Sequence, residues 1–426
     1  MKNLKLRLIV MNFLEFAVWG AYLTSMGGYL FDHGLENQVG WFYAIQGIVS
    51  LFMPALMGIL ADRWIPAQKV VSLSHALAGI LMIAAGYYAM NAGDSVQFGP
   101  LFTLYTLSVA FFMPTIGLTN SVAFNALTKA GMDTVKAFPP IRVFGTIGFI
   151  CSMLTVDFSG MQHTYGQFIM SGVLSLVLAA YALTLPHCPI NKNEGSKSWI
   201  DIFGLRAFTL FKQKRMAIFF IFSMLLGVSL QISNSFANAF ISTFADIQQY
   251  ADTFAAKHAN ALISLSQMSE TLCILLIPFC MKKFGIKNVM LIAMFGWVLR
   301  YGLFAVGNPG MPGVLAFVLS CIVYGVAFDF FNISGALYVD QQTDDSIRSS
   351  AQGLFMIMTN GIGATIGTLS AQQVVNKFVT TQTDPTAQVS GWSTSWYIFA
   401  GYALIVAVLF MFIFKNPQKE APVIKG

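Results

Sequence analysis

The chain has 426 residues, of which 56% are hydrophobic and only 10% charged, and its net charge is +6. Soluble globular chains are about 25% charged, so this composition excludes that class and describes a polytopic membrane protein. The basic residues form no Lys/Arg-rich face and no recognition motif, which excludes nucleic-acid binding and leaves membrane topology to account for them.

At about 20 residues per span, the length has room for about twelve helices. A closed β-barrel needs alternating segments of roughly ten residues. Here the apolar runs are continuous, so an all-α polytopic protein is expected. Lys2, Lys5 and Arg7 precede the first run, about Leu8 to Phe31. It is too long for a signal-peptide core, carries Glu15 and lacks a small-x-small cleavage site, so it reads as the first span. Further spans are expected at about 38–61, 69–90, 98–121, 138–158 and 164–186, then at about 216–243, 259–281, 288–306, 312–339, 349–375 and 394–414. This divides the chain into a six-helix bundle over 1–187, a linker over 188–215, and a second six-helix bundle with a short tail over 216–426. Within the linker, Trp199 to Phe211 has the pattern of an amphipathic helix lying on the inner membrane face.

Lys and Arg concentrate in the even-numbered connections and the tail: Arg63 and Lys69, Lys129 and Lys136, Lys192 through Arg215, Lys282, Lys283 and Lys287, Arg348, then Lys415, Lys419 and Lys425. The odd-numbered connections carry Lys257 and Lys377. Both termini are therefore expected in the cytoplasm. The halves also resemble each other weakly. Pro54 and Pro278 hold matching places in spans two and eight, and Gly20 of span one can be laid over Gly227 of span seven. Paired six-helix halves are a transporter plan with the binding site near the midplane.

Several spans carry polar stripes at helical spacing. Span five has Arg142, Thr146 and Phe149; span seven has Gln231, Asn234 and Asn238; span eight has Gln267 and Glu270; span ten has Tyr324, Phe328 and Asn332 with Asp329 beside them. One such stripe is ordinarily interhelical hydrogen bonding. Four that include Arg142, Glu270 and Asp329 point to a shared polar cavity. A carboxylate in hydrocarbon costs at least about 2.5–3.5 kcal/mol, so such residues face a cavity or a partner. Asp329, Glu270 and Glu15 are accordingly the proton-coupling candidates. Amides offer donors and acceptors together, and aromatic rings offer flat faces. That mix suits a neutral, hydroxylated or heteroaromatic solute better than a phosphate ester. Arg300 lies nearer the outer end of span nine, where snorkelling is expected. His75 reads as a packing histidine. Cys151, Cys188, Cys273, Cys280 and Cys321 lie in or beside apolar runs without CxxC spacing, so neither disulfides nor a metal site is expected. The chain contains no HExxH, no phosphate-binding glycine loop and no nucleophile triad, so it is not read as an enzyme and no cofactor beyond a coupling proton is expected.

The turn Gly58-Ile-Leu-Ala-Asp62-Arg63 resembles the loop motif of the major facilitator superfamily, in which Asp62 and Arg63 would act as a conformational latch. A more specific resemblance covers essentially the whole chain. It rests on Phe138-Pro-Pro-Ile-Arg-Val-Phe-Gly-Thr-Ile-Gly-Phe149, Lys214 to Gly227, Ile322-Val-Tyr-Gly325 and Ala327 to Gly335. These stretches are similar to the bacterial nucleoside:proton symporter family. The resemblance implies a major facilitator fold of twelve transmembrane helices in two bundles, located in the bacterial inner membrane. It further implies proton-driven nucleoside uptake by alternating access, with a nucleoside, protons and the lipid bilayer as the partners of a monomer. The family's substrate-contacting pattern falls on Arg142, Thr146, Phe149, Gln231, Asn234, Gln267, Glu270, Tyr324, Phe328 and Asp329. Glu15 departs from the family pattern, which has a neutral amide there. Read from its residues alone, the chain also accommodates a transporter of another neutral solute such as a sugar, or a non-transporting membrane receptor.

Overall fold

The computed structural model describes residues 3–190, 205–343 and 347–415, and among these it contains helices and turns but no strand. The first half comprises α1 (Leu4–Gly20), α2 (Met26–Asp32), α3 (Val39–Arg63), α4 (Ala67–Ala92), α5 (Phe98–Lys129), α6 (Thr134–Phe158) and α7 (Gly166–Ala182). The second comprises α8 (Lys214–Leu230), α9 (Ile232–Thr243), α10 (Ala259–Val306), α11 (Val314–Gln342), α12 (Arg348–Met356), α13 (Ala364–Phe378) and α14 (Pro385–Ile413). Helices satisfy their own backbone polar groups, as hydrocarbon demands. Nine candidate spans among the described residues are long and apolar enough to cross a membrane outright.

The departures from the expected spans have local causes. Span one is broken between α1 and α2, and span seven between α8 and α9 at Gln231. Spans eight and nine run on as the single helix α10, which at 1.5 Å per residue would reach about 72 Å, more than twice a bilayer core. Gly285, at φ 75° and ψ 166°, is the non-helical joint that divides it. Span eleven joins α12 to α13 through a π-helical turn, Ile357–Gly363. Counting α1 with α2, α8 with α9 and α12 with α13, and α10 as two, the described residues provide twelve crossings. Asp384 shows why α14 starts where it does: its carboxylate accepts from Ala387 N at 2.9 Å, with Pro385 following it in the first turn.

Within the first half α1 packs on α6 and α7, α4 on α5 and α7, and α3 on α5. Within the second half the two parts of α10 pack on α11 and α14, and α8 packs on the π turn. The halves meet chiefly along α3 with α13 and the π turn, α6 with α10, and α2 with α9. The internal repeat is visible in packing. Gly20 of α1 abuts Phe149 and Ser152 on the fifth span, and Gly227 of α8 abuts Thr359 on the eleventh.

One face is sealed across the halves by polar contacts. Asp157 accepts from Ala261 N at 2.7 Å and lies 2.6 Å from His258 Nδ1. Gln372 accepts from Gly40 N at 2.5 Å and donates to the Glu36 carbonyl at 2.7 Å. Gln162 donates to the Lys257 carbonyl at 2.8 Å, beside an Asp32–His163 pair at 2.6 Å within the first half. Of the expected linker helix, residues 199–204 lie outside the described residues. Leu205–Lys212 is a 3-10 segment with Leu210 buried and Phe211 packed 5.5 Å from Phe220. The Asp62 side chain also lies outside the described residues, and Arg63 closes the last turn of α3.

Candidate functional site

Nine of the ten expected site residues line one central cavity of about 190 Å³ between the halves: Arg142, Thr146, Phe149, Gln231, Asn234, Gln267, Glu270, Tyr324 and Phe328. The tenth, Asp329, is buried beside Phe328, and its Oδ2 finds no hydrogen-bond partner among the described residues. Gly325 explains how α11 brings Tyr324 up to Glu270. A β-carbon there would overlap the backbone of Ser269 and Glu270, so the glycine lets α11 lie directly on α10. The Ser269 hydroxyl fixes that contact by donating to the Ile322 carbonyl.

Tyr324 and Phe328, one turn apart, stack with centroids 5.5 Å apart and planes 13° apart, so they present a nearly continuous flat wall. The Arg142 guanidinium lies 3.8 Å from the centroid of the Phe16 ring, a cation–π contact that pins it to the wall. Arg142 is within electrostatic reach of Glu270 from the other half and of Glu15 from α1. Asn234 donates to Gln231 Oε1 at 3.0 Å, holding the two amides as a pair. Glu270 and the amides thus face flat rings across a small polar space.

Some lining residues were not among those expected: Phe16 and Trp19 of α1, Leu23 of the break that follows it, Leu230, and Asn360 of the π turn. The α1 set recurs at helical spacing, but aromatic and aliphatic residues at that spacing also mark packing or lipid faces. Trp19 donates to Gln46 Oε1 at 3.1 Å, and Gln46 donates to the Tyr105 hydroxyl at 2.9 Å, which ties this wall to α3 and α5. Arg300 corrects the expectation that it snorkels. It is fully buried, donates to the Ser320 carbonyl at 2.9 Å and to Ser266 Oγ at 3.3 Å, and lies 4.4 Å from the Tyr324 ring centroid. It backs the aromatic wall from behind. Glu15 is also fully buried, paired with His75 at 2.8 Å. Asn332 and Asn238 stand outside the cavity lining. Asn238 instead donates to Asn260 Oδ1 at 3.0 Å and Gln162 Oε1 at 3.3 Å, at the sealed face.

A second space of about 800 Å³ continues from the cavity, sharing Phe16, Trp19, Arg142, Gln231, Phe328 and Asn360 with it. It extends along Ser50 to Ala55, Met113 to Asn120 and Ser350 to Ile357, toward the face on which α3 and α5 end and α12 begins. The molecule is therefore sealed on one face and hollow toward the other.

Two six-helix bundles around a polar midplane cavity define a secondary transporter of the major facilitator fold. A crystal structure of a D-xylose-proton symporter shares that fold, with a TM-score of 0.71 at 14% identity over 98% of each chain. The chain belongs to the nucleoside H+ symporter family, whose model matches residues 1–419. It is 44% identical to the nucleoside permease NupG of Escherichia coli over 99% of this chain and 98% of that one. It is 45% identical to the Escherichia coli xanthosine permease over 98% of each. A crystal structure of nucleoside transporter NupG superposes with a TM-score of 0.87, covering 97% of this chain and 100% of that one. The protein is a multi-pass membrane transporter that couples nucleoside movement to protons, not an enzyme.

Proposed function

We propose that the chain imports nucleosides as a monomer in a bacterial inner membrane, with both termini cytoplasmic, by rocking bundle 1–187 against bundle 216–426. The observation that carries this reading is the meeting of stripes from α6, the start of α9, α10 and α11 around one cavity, with Asp329 beside its aromatic wall. Tyr324, Phe328 and Phe149 hold the base between flat apolar faces. Gln231, Asn234, Gln267, Thr146, Arg142 and Glu270 hydrogen-bond the base edges and ribose hydroxyls. Asp329 takes up and releases the coupling proton, and Glu270 and Glu15 are further carboxyls that the proton can reach. With the termini cytoplasmic, the hollow face is the inner one and this state is inward-facing. Asp62 and Arg63, at the inner end of α3, latch the opposite state.

The test is uptake of labelled uridine into proteoliposomes under an imposed pH gradient. Asp329→Asn is expected to abolish gradient-driven accumulation while keeping counterflow exchange at equal pH. Concentrative uptake at the wild-type level would remove Asp329 from the coupling.

A further inference from the structure

Behind the cavity wall, the first bundle encloses a polar cluster that touches no part of the nucleoside cavity. Glu15 of α1 and His75 of α4 are both fully buried, with Glu15 Oε2 2.8 Å from His75 Nε2. Glu15 Oε1 lies 2.6 Å from the hydroxyl of Thr115, and that same hydroxyl lies 2.6 Å from the Phe112 carbonyl oxygen. His75 Nδ1 lies 2.9 Å from the hydroxyl of Ser175, which in turn lies 2.9 Å from the His75 carbonyl oxygen. Each hydroxyl thus has two alternative positions for its one proton.

That duplication separates this cluster from a structural ion pair. Without an extra proton, Glu15 is a carboxylate that accepts from Nε2–H of a neutral His75 and from Thr115, and Ser175 donates to the bare Nδ1. When one proton is added at Nδ1, the new N–H donates to Ser175 Oγ and Ser175 turns its own proton to the His75 carbonyl. If the proton settles on Glu15 instead, its O–H donates to Thr115 Oγ1, and Thr115 turns to the Phe112 carbonyl. Every polar atom of the cluster stays bonded in either state, and only hydroxyl rotors move. A buried site that satisfies both protonation states escapes the penalty that normally fixes one of them.

The charge balance reaches the cavity through one residue. The cluster is neutral with the proton and carries −1 without it. Of the other charged groups on these elements, Lys5 and Arg7 of α1 lie ten and eight residues before Glu15, Lys69 of α4 lies six residues before His75, Lys129 of α5 lies at the far end of its helix, Lys136 and Asp157 of α6 lie six residues before and fifteen after Arg142, and α7 has none. Arg142 of α6 is the cation within reach of Glu15, and it is also within reach of Glu270 on the second bundle. The ring it stacks on, Phe16, follows Glu15 directly in the chain. Access is short: Met113 and Ile116 of α5, flanking Thr115, line the hollow that opens from the cavity.

We infer that Glu15, His75, Thr115 and Ser175 form a second proton-binding site, in the first bundle, whose occupancy switches Arg142 between Glu15 and the Glu270 side of the cavity. Release of its proton draws Arg142 toward Glu15; uptake frees Arg142 for Glu270 and the nucleoside. The site adds a proton to the one assigned to Asp329, so the inference goes beyond that assignment while resting on proton-coupled transport.

The test is the reversal potential of uridine-coupled proton flux in proteoliposomes, which reports protons moved per nucleoside. Glu15→Gln is expected to lower that ratio from two to one, and His75→Gln to do the same, with counterflow at equal pH retained. Ser175→Ala, which removes the acceptor for Nδ1–H, is expected to move the uptake pH profile to lower pH with the ratio intact. Wild-type ratios in both Glu15→Gln and His75→Gln would overturn the inference. Asp329→Asn in parallel separates the two assignments, because it is expected to remove gradient-driven accumulation altogether, whereas Glu15→Gln and His75→Gln keep it at the lower ratio. Should Glu15→Gln lose counterflow through misfolding, nitrogen NMR of labelled wild-type histidine decides, with His75→Gln assigning the resonance. A His75 signal that responds to pH and shifts on uridine addition supports the site. A signal indifferent to pH and uridine overturns it.

Discussion

Arg142 shows how one side chain joins the two bundles. Its guanidinium is held flat on Phe16 and within reach of carboxyls on both sides. An ammonium would keep the charge but lose the planar fork and the stacking geometry. Arg142→Lys is therefore expected to weaken uridine binding about tenfold, the equivalent of about 1.4 kcal/mol for a partly desolvated stacked cation. Equilibrium binding to purified protein measures this, and unchanged affinity would take Arg142 out of the binding contacts. The polar part of the site was legible in the sequence because Arg142, Thr146 and Phe149 repeat at helical spacing on an otherwise apolar helix. Phe16 and Trp19 were not legible, since an aromatic in an apolar run has the same signature whether it faces lipid, core or ligand. Arg300 was misread for another reason. Its partners, Ser266 and Ser320, are 34 and 20 residues away, one across the Gly285 joint of α10 and the other on α11. No local pattern distinguishes a buried arginine with such partners from one that reaches for the membrane surface.

The elements of the seam between the bundles are built to approach closely. At Gly27 of α2 a β-carbon would overlap the Ser235 carbonyl oxygen of α9 on the opposite bundle, whereas nothing in its own bundle stands as near. Gly27 N also donates to the Tyr43 hydroxyl at 3.2 Å, and that hydroxyl donates to the Leu23 carbonyl at 2.6 Å. Gly27→Ala should leave each bundle intact and hold the sealed face apart. The expected outcome is a protein of near wild-type expression whose face opens, read as faster labelling of a cysteine placed at Ser242, with uridine counterflow slowed several-fold. Wild-type labelling would mean that the seam yields without opening. Element boundaries were partly legible for the same kind of reason. Long apolar runs announce spans, but the joint at Gly285 is a single residue with left-handed φ inside 48 helical residues, and glycine alone does not declare which backbone region it occupies. The breaks beside Gln231 and between α1 and α2 serve the cavity, and local helix preference gave no sign of them.

At the scale of the whole molecule, alternating access requires two states that differ by only a few kcal/mol, so the contacts sealing one face must be strong enough to hold and weak enough to release. Asp157 is central to that balance. It ends α6 of the first bundle, its side chain is fully buried, and it caps the start of α10 in the second by accepting from Ala261 N while pairing with His258. A helix N-terminus capped from the other bundle loses its cap whenever the bundles part on this face, which makes the cap a conformational contact and not merely a local one. Removing such a charged, buried acceptor costs about 1–3 kcal/mol in the sealed state and nothing in the open one, where the cap is already broken. Asp157→Ala is therefore expected to shift the population toward the open state on this face by at least about fivefold. Nitroxide labels at Asp94 and Thr383, exposed on this face in opposite bundles, should report a longer-distance population in Asp157→Ala that is minor in the wild type, in a cysteine-free background. Asp157→Asn keeps an acceptor for Ala261 N and is expected to fall between the two. Distance distributions identical in all three proteins would show that the seam is held by the glutamine and asparagine contacts around Gln372 and Asn238, with Asp157 serving only the fold of α10.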